Sequence, residues 1–343
     1  MRILPKVKSL TDRLATEDLT YFDEQFMYGH REILLAYANS ESQEVSPRSI
    51  LHAGLTHGWG FDAGIWRMRN RNLSRAPRYE WNKKFEDLLP KKFKNEAIGS
   101  PWLYLLLQLG ALKTTNVRHL ERKRKKFLIM PGHNLLFTSK SIGAQAQMYF
   151  EATKGEPSTV CLFWLDFCDA PTRKAYEKLG FEVECMGFIP RGSSASSILG
   201  GRVTFLPSLF ELMISHDQLL TDELGSGIFY AASLGLPIHF LKDSEAEKLQ
   251  SSMSHLMNTD YPGFYATSND WLQDHSPHLW GSGLNTDLLR DIAWNELGEE
   301  SLRDPKGVKN LNWKESTVSA ESYDLFIQVL NNLKSKISIT NNN

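Results

Sequence analysis

Residues 219–238 constrain this chain more than any other stretch: an apolar run to Thr221, a Gly225-Ser226-Gly227 turn, a short helix-compatible segment, a glycine stop at Gly235, and a second apolar run from Pro237. Strand, turn, helix and strand in so few residues is one βαβ unit, and repeated units of that kind build a parallel sheet. The turn has chemistry as well as shape. A helix start leaves backbone N–H groups without intrahelical partners and carries partial positive charge, and glycines let an anion approach it, so this is a candidate phosphate site to which Ser226 adds a hydroxyl donor. An ordinary strand-to-helix connection uses glycines too, and both readings stay open here.

The same alternation extends upstream. Strand signals at 127–130, 160–165, 181–186, 218–221 and 237–241 are separated by helical signals at 142–150, from Pro171 to the stop at Gly180, at 206–215 and at 226–234. The expected result is a parallel sheet covered by helices on both faces. The first half is less regular: a long helical region at 17–37, a strand at 49–53, a Trp- and Arg-rich stretch at 59–81, a short strand and turn at 96–101, and a helix at 102–109. It too reads as α/β. A chain of 343 residues exceeds what one core usually supports. The divisions expected are an N-terminal α/β domain over 1–120, a C-terminal Rossmann-like domain over 127–260, and a helical extension over 261–343 whose end, 338–343, is a frayed tail. The basic run 118–126 marks the linker.

Net charge is −1 for the whole chain, but residues 1–126 carry 23 Lys and Arg against 14 Asp and Glu, a net +9, and the rest of the chain carries −10. A basic half suits an anionic partner such as a phospholipid surface, a pyrophosphate-linked lipid or an acidic saccharide, or is a solvated face. No nucleic-acid-binding motif accompanies it, so nucleic acid is not an expected partner. No apolar run reaches the roughly 18 residues that span a bilayer, and the start of the sequence lacks a signal-peptide core, which makes the cytoplasm the expected location. The three cysteines, Cys161, Cys168 and Cys185, lack metal-ligand spacing and read as small apolar residues in a reducing compartment.

In open α/β sheets ligands sit beyond the carboxyl ends of the strands, so polar residues there are the candidates. His57, in Thr56-His57-Gly58 after the first strand, can remove a proton from an acceptor hydroxyl with Asp62 orienting it, or can simply bind a loop. His133 follows the Pro131-Gly132 turn, and His133, Ser139 and Lys140 are candidate phosphate donors. Asp166 is a candidate for a ribose hydroxyl, whereas Asp169 is expected to cap the helix opened by Pro171. Thr221, Asp222, Gly225, Ser226 and Gly227 complete the set, with Asp222 or Glu223 on sugar or base hydroxyls and the glycines on phosphate. The P-loop, Gly-x-Ser-x-Gly and His-Glu-x-x-His motifs do not occur in the sequence.

His57-Gly58 after an N-terminal strand, Pro131-Gly132-His133 at the start of the second half, and Thr221-Asp222 ahead of Gly225-Ser226-Gly227 together resemble the plan of the two-Rossmann-domain (GT-B) glycosyltransferases of bacterial surface-polysaccharide synthesis. More distantly the chain is similar to the CDP-glycerol glycerophosphotransferases, where a His-Gly serves as base and a Thr-Asp-x-Ser-Ser motif binds donor phosphate. Here Gly227 stands in place of the second serine, and the order Pro131-Gly132-His133 departs from that group's His-Pro. The resemblance implies two Rossmann-like domains facing a cleft, a nucleotide-sugar donor on the second, and a saccharide or lipid-linked acceptor on the first. It also implies chemistry that needs neither metal nor cofactor, and the +9 half would hold such an enzyme near an anionic inner membrane face. An epimerase of the same architecture would use cleft carboxylates, for which Asp62, Asp166 and Asp222 are available, and a non-catalytic nucleotide-binding protein would keep the fold alone.

Overall fold

A computed structural model describes residues 23–42, 44–56, 58, 77–88, 94–111, 125–132, 142–187, 203–222, 225–241, 286–316 and 318–341. The fold class is α/β. The described part of the first half opens with a 3-10 segment, Asp23–Gly29, and helix α1 (His30–Ala38). A long helical region was expected at 17–37, but Met27 is extended and Tyr28 and Gly29 take left-handed φ values of 58° and 76°, which kinks the chain before α1 starts. The expected strand at 49–53 ends at Leu51, and a separate strand follows just beyond its expected end. β1 (Ser49–Leu51) pairs antiparallel with a strand from the far end of the chain, whereas β2 (Gly54–Leu55) opens a parallel sheet with β3 (Arg78–Glu80) and β4 (Asn95–Ala97). Helix α2 (Lys83–Leu88) lies between β3 and β4, and α3 (Pro101–Leu109) follows with Ser100 as its N-cap and Gly110 in the left-handed region as its stop.

The second half is the βαβ series read from the sequence. β5 (Lys125–Met130), α4 (Ile142–Thr153) and β6 (Ser158–Cys161) come first, then α5 (Trp164–Cys168), α6 (Ala170–Glu177) and β7 (Glu182–Glu184). α7 (Phe205–Ile214), β8 (His216–Thr221), α8 (Ser226–Ser233) and β9 (Ile238–Phe240) complete it. The strands order β7-β6-β5-β8-β9, every pair parallel. The apolar run at 160–165 is not one strand. It leaves the sheet at Cys161 and its end enters α5, because a continuous apolar run suits a buried helix turn as well as a buried strand. Asp169 caps α6 as expected, its Oδ2 accepting from the Thr172 backbone N–H at 3.1 Å and from the Thr172 hydroxyl at 2.6 Å.

The remaining elements are α9 (Thr286–Glu296), a 3-10 turn Glu299–Ser301, α10 (Pro305–Lys309), β10 (Trp313–Glu315) and α11 (Glu321–Asn341). This segment was expected to be helical throughout, yet β10 is the partner of β1, and α11 continues to Asn341 where a frayed tail was expected. α10 and α11 pack on α1, and α9 packs on α8, so the elements from Thr286 onward bridge both halves. Among the described residues no helix is long and apolar enough to cross a membrane.

Two bonds fasten α8 to the first half and to α9, and a third ties the end of α9 to the first half. The Trp102 indole of α3 donates to Ser233 Oγ at 2.9 Å, Trp294 of α9 donates to the Ser233 carbonyl at 3.1 Å, and the Leu297 carbonyl accepts from Ser100 N–H at 2.9 Å. Trp102 also stacks on Tyr230, ring centroids 4.6 Å apart. The helix behind the Gly-Ser-Gly turn is therefore held from both sides of the molecule.

At the sheet edge, half-buried His239 has its pKa pushed below the ordinary imidazole value by desolvation, which favours the neutral ring in the folded protein. The unfolded chain takes up that proton near pH 6.5, so the stability this site contributes is present above about pH 6.5 and is lost as pH falls below it. The urea midpoint is expected to drop between about pH 7.5 and about pH 5.5, with a shallower drop in His239→Gln. An identical slope in the two proteins would contradict this.

Candidate functional site

The five-stranded sheet delivers its strand ends to one cavity of about 200 Å³. Its floor is Met130 and Pro131 after β5, Cys161 and Leu162 after β6, Cys185 to Gly187 after β7, and Thr221 at the end of β8. One wall is the start of α8, from Gly225 to Ile228 and on to Tyr230, and the first half closes the cavity with Tyr28 and Gly58. The two glycine motifs singled out from the sequence thus meet. A Cβ placed on Gly58 would lie 3.4 Å from Ser226 Oγ. Gly58 is launched from a rigid, buried platform: Thr56 donates its hydroxyl to the Glu80 carboxylate, Arg78 Nε donates to the same carboxylate at 3.1 Å, and the Trp81 indole donates to the Thr56 carbonyl at 2.8 Å.

The glycines of the turn differ in their reasons. A Cβ on Gly227 would come 2.8 Å from Met130 Cε, the movable end of a side chain, so α8 starts in close contact with the residue that ends β5. Gly225 is extended (φ −162°), a conformation open to any residue, and a Cβ there meets no described atom within 4 Å. What its lack of a side chain preserves is open approach to the N–H groups at the start of α8. Gly225→Val is therefore expected to leave the thermal midpoint within about 2 °C of wild type while blocking an anion. A midpoint lowered by many degrees would show that the position serves folding instead.

Asp222 is the centre of a buried network. Its Oδ1 accepts from the Gly132 backbone N–H at 2.7 Å and from the Tyr149 hydroxyl at 2.9 Å, and its Oδ2 accepts from Gln145 Nε2 at 2.8 Å. The Tyr176 hydroxyl of α6 in turn donates to Gln145 Oε1 at 2.9 Å. Gln145, Tyr149 and Tyr176 are fully buried. Through these bonds Asp222 fixes the Pro131-Gly132 turn against the end of β8. Thr221 reinforces the same seam, its hydroxyl donating to the Met130 carbonyl at 2.8 Å.

Of the residues expected from the sequence, Thr221, Gly225, Ser226 and Gly227 line the cavity, and Asp222 stands directly behind it. Asp166 lies in α5, only 2% exposed and outside the described cavity wall, because the chain had already turned helical after β6. His57, Asp62, His133, Ser139 and Lys140 fall outside the described residues. The sequence reading missed Tyr28 and Tyr230 in the wall and Gln145 and Tyr149 in the network. The Gln145 and Tyr149 pair was detectable as two polar-tipped residues four apart on the buried face of one helix. Cys161, in the cavity floor, has its thiol pushed up to about 12 by burial, which keeps it protonated and inert. Among the described residues no group of three or more His, Cys, Asp or Glu side chains is arranged to hold a metal ion.

No protein-family model and no curated relative matches the sequence. Among solved structures the chain is similar to the UDP-GlcNAc 2-epimerase from Neisseria meningitidis bound to UDP-GlcNAc, at 15% identity over 82% of this chain and 76% of that one, with a TM-score of 0.32. That likeness is too slight to decide either fold or activity.

Proposed function

We propose that this protein is a nucleotide-sugar-dependent glycosyltransferase with its donor phosphates on the start of α8 and its acceptor entering from the first half. The observation that supports this best is the meeting of Gly58 with Ser226 over a cavity at the carboxyl ends of a parallel sheet. It brings the residue after His57 to the mouth of the phosphate site. In the reaction an acceptor hydroxyl oxygen bonds to the sugar's anomeric carbon as the bond from that carbon to the phosphate oxygen breaks. His57 takes the hydroxyl proton, and the nucleotide leaves with its charge on the helix start and the Ser226 hydroxyl.

The epimerase reading would draw on Asp62, Asp166 and Asp222, of which Asp222 already accepts three protein hydrogen bonds and Asp166 is buried in α5. The basic first half suits an acceptor on an anionic lipid, which makes peripheral attachment to a membrane part of this proposal.

The test is incubation with radiolabelled nucleotide sugars, with and without saccharide and lipid-linked acceptors. Label moving to an acceptor, abolished in His57→Ala while nucleotide binding persists, is the expected result. Isomerisation of the donor alone would replace this proposal with the epimerase, and binding without turnover would make the protein a nucleotide-binding one.

A further inference from the structure

We infer that Tyr28 is the ligand-contacting, specificity-determining residue that the first half contributes to this site, packing against the sugar portion of the bound ligand. This rests on the nucleotide-sugar reading above and names a residue that reading does not require. Tyr28 has φ 58° and ψ 11°, in the left-handed region that a residue with a side chain enters only at an energetic cost and that Asn or Gly tolerates far better. A strained tyrosine persists where its side chain is needed in the place to which that backbone aims it, and such outliers concentrate at ligand sites.

At the kink the residue lines the same cavity as the Gly-Ser-Gly turn. There its ring sits 4.5 Å from the Phe205 ring at 55° and 5.6 Å from His30, so its orientation is fixed before any ligand arrives. Burial pushes its phenol up to about 12, which keeps the hydroxyl protonated as a donor. An aromatic face with a polar tip matches a sugar ring, whose C–H face is apolar and whose edge carries hydroxyls. The competing role is a plug that merely ties the 3-10 segment to Phe205.

The experiment is calorimetric titration of the full chain, as wild type, Tyr28→Phe and Tyr28→Asn, with UDP, CDP and GDP and with the hexose conjugate of each. Thermal midpoints are measured alongside. Asn suits the left-handed backbone, so Tyr28→Asn is expected to fold with a midpoint within a few degrees of wild type. It should bind the hexose conjugate at least about 10-fold more weakly while binding the bare nucleotide within about threefold, and Tyr28→Phe should recover most of the loss because it keeps the ring. Wild-type affinity for the conjugate in Tyr28→Asn overturns the inference and leaves the nucleotide reading intact. Equal loss for nucleotide and conjugate, together with a large fall in midpoint, identifies a plug and also overturns it. If wild type binds none of these ligands, the nucleotide-sugar reading fails and the inference falls with it.

Discussion

Gly298→Ala is expected to destabilise the protein by roughly 2–5 kcal/mol, combining the cost of a left-handed backbone for alanine with that of an overpacked contact. Gly298 has φ 87°, and a Cβ there would lie 1.8 Å from the Trp81 carbonyl oxygen, 2.7 Å from the Trp81 carbonyl carbon and 3.1 Å from Gly99 Cα. All three are backbone atoms, so no side chain can swing aside. The clash would act where the end of α9 closes onto the first half, beside the Ser100 N–H to Leu297 carbonyl bond and the 2.7 Å bond from Asn82 Nδ2 to the Glu296 carbonyl. Because α9 packs on α8, loosening this junction reaches the cavity as well. Thermal and urea denaturation measure the loss directly. A variant as stable as wild type would show that the two segments do not approach this closely.

Asp222→Ala has the second large effect, about 3–5 kcal/mol, because it strips three donors of their acceptor at once and hydrogen bonds to a charged group are the strong ones. Gln145 Nε2 and the Tyr149 hydroxyl are buried and cannot all turn to water, and the Gly132 N–H cannot turn at all. Asp222→Asn keeps the shape but turns an NH₂ toward donors, and should fall between the two. Tyr149→Phe removes a single bond, and its effect should shrink markedly in the Asp222→Ala background, since contacting residues in one network are not additive. Equal effects in both backgrounds would show that the hub does not act as a unit. Affinity for a nucleotide is expected to fall with Asp222→Ala, because the Pro131-Gly132 turn would lose its tie to β8.

The passage from β8 through the turn and α8 to β9 was legible because each step has a local cause. Thr221 ends an apolar strand, Gly225 and Gly227 open the helix, and Gly235, at φ 77°, stops it. Asp169 as a cap was legible for the same reason, with Pro171 beside it. What escaped was whatever depends on distant partners. Nothing near residue 49 shows that β1 pairs with β10 rather than continuing into β2, since the pairing Ser49 to Glu315 joins opposite ends of the chain. The acceptor role of Asp222 depends on Gln145, Tyr149 and Gly132, each more than seventy positions away. The kink at Tyr28 runs against the preference of its own residue type, so the helical pattern of this region carried no sign of it.

The most direct measurement of the central claim, that the cavity between Gly58 and the start of α8 binds the phosphates of a nucleotide sugar, is calorimetric titration of the full chain with UDP, CDP and GDP and their hexose conjugates, wild type beside Gly225→Val. One nucleotide series binding wild type and failing to bind Gly225→Val at an unchanged thermal midpoint is the result the site predicts. Binding that survives Gly225→Val, or no binding to either protein, would contradict it.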